Sequence, residues 1–154
     1  MEISAAECAR AIVETIPVMM QGLGSHLRSR AGLNLSIPQF RALMFLRRHE
    51  GASISDVAQH LEIALPSVSR LADGLVARGM VRRQDDAADR RRVTLALTTP
   101  GREALHAAKQ AAQEYFTEAL TRLSPAGRAV VAQAMRALQG AFVPGREPES
   151  VGTR

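Results

Sequence analysis

Residues 53–81 read SISDVAQHLEIALPSVSRLADGLVARGMV, and residues 82–101 follow directly as RRQDDAADRRRVTLALTTPG. In the first stretch apolar side chains recur at three- and four-residue steps: Val57, Ala58 and Leu61, then Val68, Leu71, Ala72 and Leu75. That rhythm gives two short helices, each with one buried face. Ser55 is the expected cap of the first, and a tight turn through Glu62 and Ile63 separates it from the second. The second should run from about Pro66 to Arg78, with Gly79 as its left-handed stop. Its outward side carries Ser67, Ser69, Arg70, Asp73, Gly74 and Ala77, small and polar groups that let a helix approach base-pair edges closely.

In the second stretch, residues 80–84 and 92–97 read as two short strands joined by a charged loop. The second strand alternates Val93, Leu95 and Leu97 against Thr94 and Ala96. A helix-turn-helix followed by an arginine-rich hairpin sets one element to read a major groove and another beside the neighbouring minor groove, where narrow walls concentrate negative potential and favour an inserted guanidinium. The pattern points to double-stranded DNA as the partner.

The flanking segments are helical. Ser4 and Glu7 have capping-box spacing, and Ile12, Ile16, Met19, Leu23 and Leu27 form one long stripe, with a kink or break expected at Pro17. Ser36 and Gln39 open a shorter helix with Phe40, Leu43 and Met44 on one face, stopping at Gly51. Thr99-Pro100 opens a long helix whose stripe is Leu105, Ala108, Ala112, Tyr115, Ala119 and Leu123. Ser124-Pro125 opens a last one carrying Val130, Val131, Ala134, Met135, Leu138 and Phe142. A chain of 154 residues has little else to cover these stripes, so a homodimer is expected, with two recognition helices roughly 34 Å apart on a near-palindromic site.

Net charge is +5, carried almost wholly by arginine, Lys109 being the only lysine, and the cluster from Arg78 to Arg92 is more telling than the total. One cysteine, Cys8, excludes an internal disulfide. No basic leader with a long apolar run and no membrane-length apolar stretch is present, so a soluble cytoplasmic protein without membrane attachment is expected. His26, His49, His60 and His106 are scattered without metal-ligand spacing, and no cofactor is called for. No phosphate loop, nucleophile elbow or paired metal motif supports an enzyme, and His49-Glu50 is no catalytic pair by itself. A protein-interaction module would have lost the charged hairpin and the small polar helix face; a low-specificity chromosome binder would share the phosphate contacts and lack the energy of base contacts.

With DVAQHL at 56–61, SVSRLADGLVARGMV at 67–81, DRR at 89–91 and VTLALTTPG at 93–101, the chain resembles the MarR family of winged-helix transcriptional regulators. The coarser match extends helix by helix over about residues 4–142. The resemblance implies a mainly α fold: a winged helix-turn-helix DNA-binding lobe at 53–98, with N- and C-terminal helices at 4–30 and 99–142 forming a dimerisation region, all within one domain. Residues 143–154, rich in proline, glycine and charge, are expected to be a disordered tail.

The resemblance further implies a homodimeric regulator, usually a repressor, that leaves a palindromic operator when a small ligand or oxidant arrives. Carried over position by position, the recognition-helix residues are Pro66, Ser67, Ser69 and Arg70. At the wing, Asp89 matches the aspartate that orients the minor-groove arginine, here Arg91, with Arg90 and Arg92 beside it near phosphates. The chain departs from the family at Glu62, where glycine is common, so that turn must accept a left-handed residue or take another form. Gly74 inside the recognition helix costs about 1 kcal/mol relative to alanine; it either allows close DNA approach or is merely tolerated.

Relatives often bind phenolic or other aromatic carboxylates where the dimer helices meet the DNA-reading lobe. Here Met19, Met20, Leu23, Met44 and Phe45 would supply apolar walls and His26 or Arg41 a polar contact, while ordinary core packing accounts for the same residues equally well. Some relatives sense hydroperoxides through a first-helix cysteine surrounded by tyrosines. With Tyr115 the only tyrosine, Cys8 stands open between redox sensing and an idle thiol.

Overall fold

The computed structural model describes residues 3–30, 32–85 and 92–142. Nine elements follow in order: α1 (Ala5–Ser29), α2 (Ile37–Arg48), β1 (Ala52–Ser53), α3 (Ile54–Leu61), α4 (Leu65–Ala77), β2 (Val81–Asp85), β3 (Val93–Leu97), α5 (Thr99–Thr121) and α6 (Pro125–Phe142). The fold is mainly α with a small antiparallel sheet, a winged helix-turn-helix. The chain separates into two compact units, Met1–Tyr115 and Phe116–Arg154.

Local chemistry sets the helix starts. Ser4 with Glu7, Ser36 with Gln39, and Ser53 with Asp56 each form a reciprocal capping box, satisfying amides that the first turn leaves without partners. The third of these corrects the expected cap at Ser55. Asp56 lies three residues after Ser53 and can bond back to it, whereas three residues after Ser55 stands Ala58, which has no side-chain acceptor. Thr98 caps α5 through the Gly101 amide at 3.0 Å, and Ser124 caps α6 through the Gly127 amide at 3.1 Å.

No break occurs at Pro17, since α1 continues through it. Proline withholds one N–H from the Val13 carbonyl, and with Val13 71% exposed, water can serve that acceptor while the flanking turns hold.

The sheet has the order β1-β3-β2, with Ser53 opposite Thr94 and Arg83 opposite Leu95. The two-residue β1 carries too little pattern to be read from sequence. It makes β3 the central strand, and residues 94–97 are all buried in place of the expected alternation. Thr94 lies between Ser53 and Gln84, and Ala96 opposite Arg82, and the two are 6% and 9% exposed.

The core of the first unit is dominated by Leu27, Leu35, Leu43, Leu46, Leu75 and Leu105, each under 2% exposed. Burying each stabilises the fold by about 1.5–3 kcal/mol against leaving it in water. Gly101 joins the sheet to α5 at close quarters: a Cβ there would stand 1.8 Å from the Met80 carbonyl oxygen, so only glycine fits.

Candidate nucleic-acid interface

Two turns of the same chemistry frame α4. After α3, Glu62 adopts the left-handed conformation (φ 57°, ψ 40°), and the Ile63 amide donates to the Ala58 carbonyl at 3.3 Å. After α4, Gly79 (φ 68°) occupies the equivalent place, and the Met80 amide donates to the Leu75 carbonyl at 3.0 Å. Both are Schellman closures, one with the residue this geometry favours and one without it. The turn at Glu62 thus keeps the left-handed form.

Between these stops α4 buries Val68, Ala72 and Leu75 and leaves Leu71 half-buried. Pro66, Ser67, Arg70, Asp73 and Ala77 are exposed, and Ser69 and Gly74 half-buried. A Cβ on Gly74 would meet only Gln39 Nε2 at 3.7 Å, ordinary contact, so packing within the chain does not require glycine there.

The arginine cluster divides by what each guanidinium already holds. Arg78, capping α4, donates to the Asn34 carbonyl at 3.0 Å and to the Leu33 carbonyl, tying the helix end to the segment before α2. Arg83 on β2 pairs with Asp73 on α4 at 2.5 Å. Arg92, just before β3, pairs with Asp56 on α3 at 2.8 Å. Asp73 therefore bonds across to the wing, and among the described residues Arg70 makes no salt bridge. Asp89, Arg90 and Arg91 lie outside the described residues. The anchoring roles of Asp56 and Asp73 were missed in the sequence; the Ser-x-x-Asp box at 53–56 was the available signal for the first.

Hydrogen bonds from the Ser53 amide and hydroxyl, then Arg92, hold the Asp56 carboxyl below its ordinary range. Burial, followed by the charges of Arg41, His49 and Arg48, pushes His60 down.

The structure distributes the seven residues of the expected ligand pocket over two helices. Met19, Met20, Leu23 and His26 lie on α1, and Arg41, Met44 and Phe45 on α2. His26 sits 5.5 Å from the ring of Tyr115, and its Nε2 is buried with no hydrogen-bond partner among the described residues. Arg41 reaches the His60 carbonyl at 3.5 Å, and Phe45 stacks on both His49 and His60 at 4.3 Å, lining a cavity of about 550 Å³ with Gln59 and Asp56. These contacts draw Arg41 and Phe45 toward α3. Cys8 is exposed on α1. Among the described residues no helix is long and apolar enough to cross a membrane, and no three potential ligands cluster to hold a metal.

A helix-turn-helix whose second helix has a small polar outward face, beside a three-stranded sheet flanked by Arg82, Arg83 and Arg92, defines a winged-helix fold. The MarR family model matches residues 32–92. The HTH-type transcriptional regulator YfiV of Bacillus subtilis is 28% identical over 110 residues, covering 71% of this chain and 69% of YfiV. RV1404 from Mycobacterium tuberculosis shares the fold with a TM-score of 0.75 at 23% identity, over 97% of this chain and 99% of that one. A mutant of Staphylococcus aureus MepR bound to an oligodeoxyribonucleotide shares it with a TM-score of 0.61 at 24% identity, over 92% and 100%. Over residues 32–92 the chain is thus similar to the MarR family, and it shares its fold with these solved structures.

Proposed function

We propose that the protein is a ligand-responsive repressor that binds a palindromic operator as a homodimer. The observation that carries this reading is apolar surface left exposed among the described residues. On α1, Val13, Ile16 and Val18 are more than half exposed. On α6, none of the 18 residues is buried, and Val130, Met135 and Phe142 are 65%, 48% and 77% exposed. Covering such faces with a second copy is the ordinary solution for a chain of this size. In this reading residues 4–142 form one domain, with 4–30 and 99–142 the dimerisation helices and 53–98 the DNA-binding lobe.

Each α4 enters a major groove through Pro66, Ser67, Ser69 and Arg70, and Arg91 enters the flanking minor groove, oriented by Asp89 with Arg90 at a phosphate. The MepR mutant bound to an oligodeoxyribonucleotide, which shares the fold, supports a duplex as the partner. An aromatic or phenolic effector would bind along α1 against Met19, Met20 and Leu23, with Met44 from α2. The unpartnered Nε2 of His26 supports a polar contact there. By changing the angle between the two lobes, the effector would weaken both half-site contacts together.

The test is selection of genomic fragments by purified protein, followed by binding of the recovered duplex at several salt concentrations with excess unrelated DNA, and sedimentation of the free protein. A near-palindrome bound by a dimer is expected. Binding that falls with salt and enriches no sequence would replace this reading with general chromosome binding. Release of the operator by peroxide but not by aromatic carboxylates, abolished in Cys8→Ser, would move the switch to the thiol.

A further inference from the structure

The two legs of the wing are each braced to a different helix of the helix-turn-helix. The outgoing leg, β2, is held to α4 by Arg83 on Asp73. The return leg is held to α3 by Arg92 on Asp56, and this second brace is built more deeply into the fold. A single oxygen, Asp56 Oδ2, accepts from the Ser53 amide at 2.7 Å, the Ser53 hydroxyl at 2.7 Å and Arg92 Nη2 at 2.8 Å. Ser53 in turn caps α3 by accepting from the Asp56 amide at 3.1 Å, and as part of β1 it stands opposite Thr94 in the sheet. One short cluster thus ends β1, starts α3 and anchors the chain where it re-enters the sheet.

An exposed ion pair adds little stability by itself, because ordering two side chains offsets most of the attraction. Here the carboxylate is already ordered by the capping box, so less freedom is lost when Arg92 docks. The guanidinium is also held at an acid, which lowers its value as a phosphate contact and raises its value as a strut.

We propose that Arg92 is a positioning residue with Asp56 as its anchor: the pair fixes the pose of the wing relative to the helix-turn-helix and contributes no phosphate contact. This replaces the phosphate role that the family resemblance implied for Arg92, and it rests on the DNA-binding reading above.

The experiment measures binding of Asp56→Asn, Arg92→Gln, Arg92→Lys and the double variant Asp56→Asn/Arg92→Gln, with folding verified by circular dichroism. Each is tested against both the recovered operator and an unrelated duplex across a salt series. Asp56→Asn and Arg92→Gln should each weaken operator binding about 3- to 10-fold, the double variant no further than either alone, and Arg92→Lys should recover most of the loss. The salt slope should stay at the wild-type value on both duplexes, since a lost phosphate contact would lower it by about one.

A brace and a simple charge act in opposite directions for Asp56→Asn. Removing an acid beside DNA should tighten binding if only charge matters, so a gain in affinity would overturn the proposal. So would additive losses, or a slope reduced by about one in Arg92→Gln. Because the slope is also read on unrelated duplex, it still decides the role of Arg92 if no operator is selected; wild-type protein that binds no duplex would overturn both readings. Arg92→Gln leaves the capping box intact and carries the test if Asp56→Asn does not fold.

Discussion

Helices α4 and α6 both present an apolar stripe at helical spacing, yet among the described residues only that of α4 is buried. In α4, Val68, Ala72 and Leu75 are each within 1% of complete burial, answered by α2, α3 and the sheet. In α6, no side chain is buried, and Val130, Met135 and Phe142 stand open. The same sequence signal therefore marks two different things. In the winged lobe it marks a core the chain closes for itself, and in α6 it marks apolar side chains left exposed among the described residues, which the proposed homodimer would cover. The division follows charge as well, since arginines tied to neighbouring acids and carbonyls brace the lobe, whereas α6 carries only Arg128 and Arg136.

The largest expected effect tests that contrast directly. Leu75→Ala removes a side chain that is 1% exposed and should destabilise the lobe by about 2–5 kcal/mol in denaturant unfolding, independently of protein concentration. Phe142→Ala should leave the unfolding of dilute protein nearly unchanged and shift only the concentration-dependent part. Equal, concentration-independent losses from both would erase the distinction between closed core and open interface.

Next in size is Arg91→Ala, which should weaken operator binding by about 1–3 kcal/mol while sedimentation still shows a dimer. Unchanged affinity at moderate salt would remove the wing from the DNA-reading surface. Dissociation of the dimer would show that the reading and pairing regions are not separable.

Gly74→Ala divides the lobe's internal needs from its external ones. The built Cβ meets only Gln39 Nε2 at 3.7 Å, so alanine should raise stability by about 1 kcal/mol through helix propensity. If operator affinity is retained, the glycine is merely tolerated. If affinity falls while thermal stability rises, the glycine serves close approach to DNA.

How much of this was legible depended on whether the signal was local. The recognition helix, its buried face and the stop at Gly79 follow from periodicity and backbone preference within a dozen residues, and the structure reproduces them. The strand β1 was invisible because two residues cannot show alternation, and it places Ser53 opposite the buried Thr94. The cap at Ser53 was legible in principle, since its partner Asp56 lies at the required spacing, but Ser55 lay nearer the apolar run. The pairing of Asp73 with Arg83 and of Asp56 with Arg92 was not legible. The pairs are separated by 10 and 36 residues, and only the folded sheet brings them together. The break allowed for at Pro17 did not form for a different reason: the cost of a missing N–H depends on whether water reaches the orphaned carbonyl, which the sequence does not state.

The smallest expected effect concerns His60, where the edge of the lobe meets solvent. Its ring stacks on Phe45 at 4.3 Å, and burial together with Arg41, His49 and Arg48 holds its pKa below the ordinary 6.5. The folded state therefore favours neutral imidazole, and as pH falls below about 6.5 the unfolded chain takes up the proton first. The stabilisation tied to neutral His60 is complete above that pH and is lost as pH drops through the lower folded value. Denaturant unfolding between pH 7.5 and 5 should show stability declining toward acid, and His60→Gln should flatten part of that decline without altering stability at pH 7.5 by more than a few tenths of a kcal/mol. An unchanged slope in the variant would assign the acid sensitivity to other groups and leave the Phe45 stack as packing alone.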